Sequence, residues 1–166
     1  PALEEVRSRL STEDCRALLG EIKPGSTVTL LYWLAATQGI PQRALASSLP
    51  DCIMARLANS ESRCEPTMAC GFGVFDAARN AWHRLAIARL GLSHVRWPEL
   101  APYGQILGHY PYGARRLPIA VPLGDHQSAL AGALLEPGEL SINVGTGAQV
   151  SVLSRTADPG AGQVRP

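Results

Sequence analysis

Three places in the 166-residue chain combine residue types and spacings that could do chemistry. In Gly124-Asp125-His126-Gln127 a carboxylate follows the apolar run 117–123 and stands at the entrance to a helix-like segment, 126–135. A carboxylate between strand and helix is rigidly aimed, and open α/β folds bind ligands at the C-terminal ends of strands. Such a group can orient an acceptor hydroxyl and take its proton as a phosphoryl group is transferred. The same residue could instead cap the helix that follows. Gly145-Thr146-Gly147 offers backbone amides that no side chain shields, plus one hydroxyl, which is what a loop needs to hold a phosphate. It could equally be a plain hairpin turn using glycine for positive φ. Glu65, before Pro66-Thr67, could accept hydrogen bonds from a polyol, or simply be solvated in its Ser/Arg-rich loop.

Other chemistries lack their residues. No Gly-Lys-Ser/Thr stands at P-loop spacing, and Cys70-Gly71-Phe72-Gly73 lacks the third glycine and the helix of a dinucleotide fingerprint. No Gly-x-Ser-x-Gly elbow supports a serine hydrolase. His83, His94, His109 and His126 are scattered, and the four cysteines form no CxxC pair, so no metal site is expected. The formal net charge of +1 comes from interspersed acidic and basic residues without the basic face that nucleic acid requires. With 46% hydrophobic residues, 17% charged and no apolar run of membrane-spanning length, the reading is a soluble globular chain with reduced cysteines in the cytoplasm and no membrane partner.

The elements that must position these residues follow from pattern and punctuation. Residues 1–20 read as helix, with Leu3, Val6 and Leu10 on one face and Ser11 capping a second segment, 13–19, that Gly20 ends. Residues 27–38 suit a buried helix closed by Gly39, 41–48 a short helix, and 52–58 a helix capped by Asp51. Gly71 and Gly73 among Phe72, Val74 and Phe75 favour an extended segment over 67–76 and a turn to Asn80. An amphipathic helix is expected over 81–90, closed by Gly91, and a proline-containing loop over 97–104. Trp33, Trp82 and Trp97 are expected as core or loop anchors. Then 117–123 reads as a strand, and alternating 140–144 and 148–152 as a β-hairpin around the glycine turn. A domain boundary is expected near Arg116.

Taken in order, Arg116 to Leu130 with Gly124-Asp125-His126-Gln127, then Glu136-Pro137-Gly138, then Asn143-Val144-Gly145-Thr146-Gly147, resemble the FGGY carbohydrate kinases. That family has a Gly-Asp-Gln-Gln-type element after a strand, a Glu-Pro-Gly-like turn after its helix, and a Gly-Thr-Gly hairpin next. Leu31-Tyr32-Trp33-Leu34, Pro50-Asp51 through Arg56-Leu57, Thr67-Met68-Ala69-Cys70, Val74-Phe75-Asp76 and Trp82 also look like family segments, so the resemblance runs from about Gly25 to Leu153.

The resemblance implies an α/β, actin-like, ribonuclease H-like ATPase fold with two domains and a cleft between them. Residues 1–116 would be the C-terminal part of the first domain, and 117–166 the N-terminal part of the second. It implies ATP and Mg²⁺ as cofactors and a small sugar or polyol as substrate, with homo-oligomers left open. Asp125 matches the catalytic base and Gly145, Thr146 and Gly147 the ATP phosphate turn. Glu65 falls where an acidic residue precedes Thr-Asn-Ala-Ser, and His126 where glycerol kinases have a substrate-contacting Gln. Met68 and Cys70 replace the Asn and Ser of that element, and with His126 they make glycerol a doubtful substrate. Ala148-Gln149-Val150 after the turn looks closest to the heptulose-kinase, sedoheptulokinase-like branch. No Asp-x-Gly-Thr loop or adenosine-binding glycine motif lies within the 166 residues, so the chain reads as an internal piece, inactive alone. Two other readings stand beside the kinase: a non-catalytic sugar-binding pseudoenzyme module, and an actin-like ATPase that uses no sugar.

Overall fold

The computed structural model describes residues 2–146 and 148–154. Its N-terminal part packs helices and short strand pairs around one apolar core. Helix α1 (Ala2–Ser8) is followed by α2 (Thr12–Ala17), where Ser11 and Asp14 form a reciprocal capping box. Helix α3 (Thr27–Thr37) buries Val28, Thr29 and Tyr32, but Leu30 is 56% and Trp33 49% exposed. The expectation of a fully buried helix and an anchored Trp33 is therefore corrected: only one stripe of this apolar segment meets the core. Residues 41–48 form a turn and an isolated parallel bridge, Leu45 with Arg96, instead of a helix. Pro41 and positive φ at Arg43 break helical geometry there.

Helix α4 (Leu49–Ala58) has Ser48 as its N-cap, with Pro50 in the first turn. Asp51 lies three positions past the N-cap, inside the first turn, and is not the expected cap; the Ser48 hydroxyl accepts from its amide at 3.1 Å and donates to its Oδ2 at 2.7 Å. Strand β1 (Arg63–Cys64) pairs in parallel with β4 (Glu99–Leu100), inside the expected loop. Between them run α5 (Pro66–Cys70), β2 (Phe75–Asp76), its antiparallel partner β3 (Ala81–Trp82) and α6 (Arg84–Arg89). The extended segment expected from residue 67 is thus a helical turn first. Pro66 at N1 and Glu65 at the N-cap start it, and these local signals outweigh the β-favouring Phe72 and Val74. The helix expected from residue 81 starts later, because the His83 amide donates to the Val74 carbonyl in strand-like continuation and the His83 ring caps Ala86.

Phe72, Trp82 and Trp97 form the centre of the core, with ring centroids 5.2 to 6.2 Å apart. The Trp82 indole N–H donates to the Pro98 carbonyl at 2.7 Å, which satisfies its one polar atom. Asp14 ties α2 to α6: besides Ser11, its Oδ2 accepts from Arg89, and His83 lies 3.6 Å from Oδ1. Burial would raise this carboxyl, but the Ser11 amide and hydroxyl and Arg89 together hold it below the usual carboxylate range.

Strands β5 (Ile106–Tyr112) and β6 (Arg115–Ala120) form an antiparallel hairpin against α4. Sequence pattern missed β5 because Gly108 and Pro111 interrupt it; β6 begins two residues before the expected strand and ends three residues short of it. Arg116 lies inside β6, opposite Pro111. Gly108 packs so closely on α4 that a Cβ there would run into the Ala58 carbonyl oxygen. The last elements are α7 (Asp125–Gly132), three residues shorter than expected at its C-terminus, and the hairpin of β7 (Leu140–Val144) and β8 (Ala148–Val152). Leu140, Ile142 and Val144 pair with Val152, Val150 and Ala148, so one face of this hairpin is apolar throughout, and it is exposed.

Gly108→Ala is expected to lower stability by about 1–3 kcal/mol through overpacking against α4, read as a fall in the thermal midpoint. Asp14→Asn is expected to cost about 1–3 kcal/mol at pH 7 by weakening charge-assisted hydrogen bonds. Because the folded carboxyl titrates below its unfolded value, the stabilisation is complete above the unfolded pKa. It is lost as pH falls through the folded one, so acid melts of the two proteins should converge.

Candidate active site

Strand β6 leads through the buried Val121, whose amide donates to the Gln105 carbonyl at 2.9 Å, into Gly124 and α7. Gly124 is the N-cap of this helix and supplies no side-chain cap. Asp125 is therefore the first helical residue and not the cap; its carboxylate is exposed, and Oδ1 accepts only from the adjoining His126 amide, at 2.7 Å, among the described residues. The exposed position in the first turn of the helix leaves this carboxyl group reachable by a ligand.

The Gly124 amide does not point into solvent. It donates to Thr67 Oγ1 at 2.8 Å, across 57 residues of sequence. Thr67 in turn donates its hydroxyl and, at 2.7 Å, its amide to Oε2 of Glu65. Glu65 is 6% exposed, so the structure brings Glu65 and the Asp125 helix start together through a residue that pattern reading singled out for no chemistry. The signal was present as Glu65-Pro66-Thr67, an acidic N-cap with proline at N1, which aims the next amide and hydroxyl back at the carboxylate. Glu65 Oε1 makes no hydrogen bond among the described residues.

Beneath Glu65 lies Asp51, fully buried, with Oδ1 making no conventional hydrogen bond. Burial pushes its carboxyl above the usual range; Ser48 and the weak donor Cys64 offset part of this, and the Glu65 charge adds to it. Burial, then Asp51, drives the Cys64 thiol upward as well, so Cys64 is an inert packing group. All four cysteines are free, and no cluster of three or more His, Cys, Asp or Glu that could hold a metal occurs among the described residues.

His126 Nε2 lies 2.9 Å from the Ser151 hydroxyl and ties the first turn of α7 to the polar face of the β7–β8 hairpin. Its Nδ1 has no hydrogen-bond partner among the described residues. Gly145 and Thr146 form the exposed bend between β7 and β8; Gly147 lies outside the described residues. The arrangement is thus a carboxylate at a clamped helix start, beside a hairpin whose bend carries exposed amides. That is a chemistry for hydroxyl and phosphate ligands.

No protein-family profile matches the chain. In sequence it is 32% identical over 84 residues to a glycerol kinase of Shewanella frigidimarina (strain NCIMB 400), a stretch covering 50% of this chain and 17% of that protein. In structure it superposes on a xylulose kinase from Rhodospirillum rubrum with a TM-score of 0.77 and 22% identity, over 95% of this chain and 34% of that one. Glycerol kinase from Plasmodium falciparum, solved with ADP, gives 0.69 and 16%, over 89% and 32%. The chain therefore has the actin-like ATPase fold of these kinases and spans about a third of their length. The resemblance to the FGGY carbohydrate kinases, drawn from its motifs, is met in sequence by one relative and in fold by both solved neighbours. No described helix is long and apolar enough to cross a membrane.

Asp51→Asn is expected to raise the thermal midpoint at pH 7 by a few degrees, since it removes a charge that the fold disfavours. A carboxyl raised on folding costs stability at all pH values above its folded pKa, and the cost vanishes below the unfolded one. The gain should therefore shrink to nothing in acid.

Proposed function

We propose that the whole protein transfers the γ-phosphoryl group of ATP to a hydroxyl of a small sugar or polyol. Asp125 is the base that orients the acceptor and takes its proton. The observation that carries this reading is the placement of an exposed, minimally partnered carboxylate at the start of a helix whose N-cap is pinned by a part-buried polar chain. Pre-organisation of this kind is most of what phosphoryl transfer asks of a protein.

The other roles follow from what each group has left to offer. Gly145, Thr146 and Gly147 hold the ATP phosphates with amides and one hydroxyl. Glu65 Oε1 and His126 Nδ1, both without a partner among the described residues, accept from or donate to the sugar. Mg²⁺ bound with the nucleotide would supply positive charge to offset that of the phosphates. A ketose or heptulose is favoured over glycerol, since His126 stands where a glutamine contacts glycerol and Gln149 follows the turn. Residues 1–116 and 117–166 belong to the two domains flanking the cleft, in a cytoplasmic enzyme free to form homo-oligomers. The 166 residues on their own are expected to transfer no phosphate, because the reaction draws on several loops at once.

The test is a panel of ketoses and polyols with ATP and Mg²⁺ on the full-length protein and its Asp125→Asn variant. Sugar-dependent ADP release is expected, falling by roughly 10²- to 10⁴-fold in the variant. Near-normal sugar phosphorylation by Asp125→Asn would sink the assignment, and sugar-independent turnover would point to an ATPase instead.

A further inference from the structure

The Glu65–Thr67–Gly124 chain has a fixed direction. A carboxylate oxygen accepts only, so the single hydroxyl proton of Thr67 goes to Glu65 Oε2, and the Thr67 oxygen is left with lone pairs for Gly124. The Gly124 N–H thus donates to a hydroxyl already polarised by a buried carboxylate, which makes its bond stronger than a neutral pair in water.

The other side of Gly124 faces the clamp and the first turn of α7. A Cβ there would sit 2.5 Å from Gln127 Oε1, the mobile end of a long side chain, and 3.3 Å from Thr67 Oγ1, so a side chain at this position would turn Gln127 aside and press on the Thr67 hydroxyl. The residue immediately before Asp125 is held between the first turn of its own helix and a side chain from α5. Among the described residues nothing comparable holds Asp125 itself, whose carboxylate is exposed.

We infer that Thr67 is a positioning residue for the proposed phosphoryl transfer: its hydroxyl, oriented by Glu65, clamps the Gly124 amide and so sets where the Asp125 carboxylate meets the acceptor hydroxyl. The inference rests on the reading of Asp125 as the base. It assigns Glu65 a second task, through Oε2, beside the sugar contact proposed for Oε1. Displacement of a reacting group by about 1 Å can cost about 10²-fold in rate, so a clamp one residue away from the base is well placed to control kcat.

The experiment compares wild-type full-length protein with Thr67→Val, which keeps the shape and loses the hydroxyl, and Thr67→Ser, which keeps the hydroxyl. Two quantities are read: amide hydrogen exchange in the segment containing Gly124, and kcat and KM with ATP and the best sugar of the panel. Thr67→Val is expected to speed exchange there about tenfold or more and to lower kcat by roughly 10- to 100-fold with KM for ATP within about twofold. Thr67→Ser is expected to restore both. Unchanged exchange in Thr67→Val overturns the clamp, whatever the activity. Faster exchange with wild-type kcat overturns the positioning role. If Asp125→Asn is active while Thr67→Val is slow, the reading of Asp125 fails, and with it the route proposed for Thr67. Should Thr67→Val not fold, Glu65→Gln, which keeps an oxygen acceptor and removes the charge, is measured in the same way; wild-type exchange and kcat there would equally overturn the inference.

Discussion

The hydroxyl of Thr67 joins two parts of the chain that share little else at this point. On one side stand β1 and α5, backed by the aromatic core; on the other, β6 ends and α7 begins. A single hydroxyl can do this because it both donates and accepts, and because each partner is also held by its own segment. Glu65 is fixed by the N-cap geometry of α5, and Gly124 by the Val121 anchor before it and the first turn of α7 after it. The rest of the candidate site inherits its position from that contact. Asp125 is aimed by the helix start, and the open end of the β7–β8 hairpin is joined to the same helix by His126 and Ser151.

Buried carboxylates are handled in two opposite ways in this molecule. Asp14 is given an amide, a hydroxyl and an arginine, so the fold favours its charge and uses it to tie α2 to α6. Asp51 is given a hydroxyl, its helix's first turn and a thiol, which is not enough, and it lies under a second acid. Charge at Asp51 is a cost borne within the support of Glu65. Stability and pre-organisation can pull apart at such a place.

What could be read from residues alone follows the range of the signal. Capping at Ser11, the helical face of α4, the strand and helix around Asp125 and the alternating β7–β8 hairpin are all local patterns, and the structure has each of them. Strand β5 was illegible because Gly108 and Pro111 break its alternation; its place is decided by close packing on α4, a contact between distant residues. The exposure of Trp33 also depends on tertiary packing, whereas the turn at residues 41–48 follows from Pro41 and the left-handed Arg43. At the site, Asp125 and Glu65 were legible as residues, but their connection was not, since Thr67 and Gly124 are 57 positions apart and neither is unusual by type.

The proposed role of Asp125 requires that a sugar hydroxyl meet the carboxylate at the start of α7. A crystal structure of the full-length protein with a bound ketose and a non-hydrolysable ATP analogue measures this directly. The account predicts an acceptor hydroxyl within hydrogen-bonding distance, about 2.6–3.2 Å, of an Asp125 oxygen, and analogue phosphates at the bend of Gly145 and Thr146. A sugar bound elsewhere, with Asp125 facing only solvent while the nucleotide is in place, would contradict it.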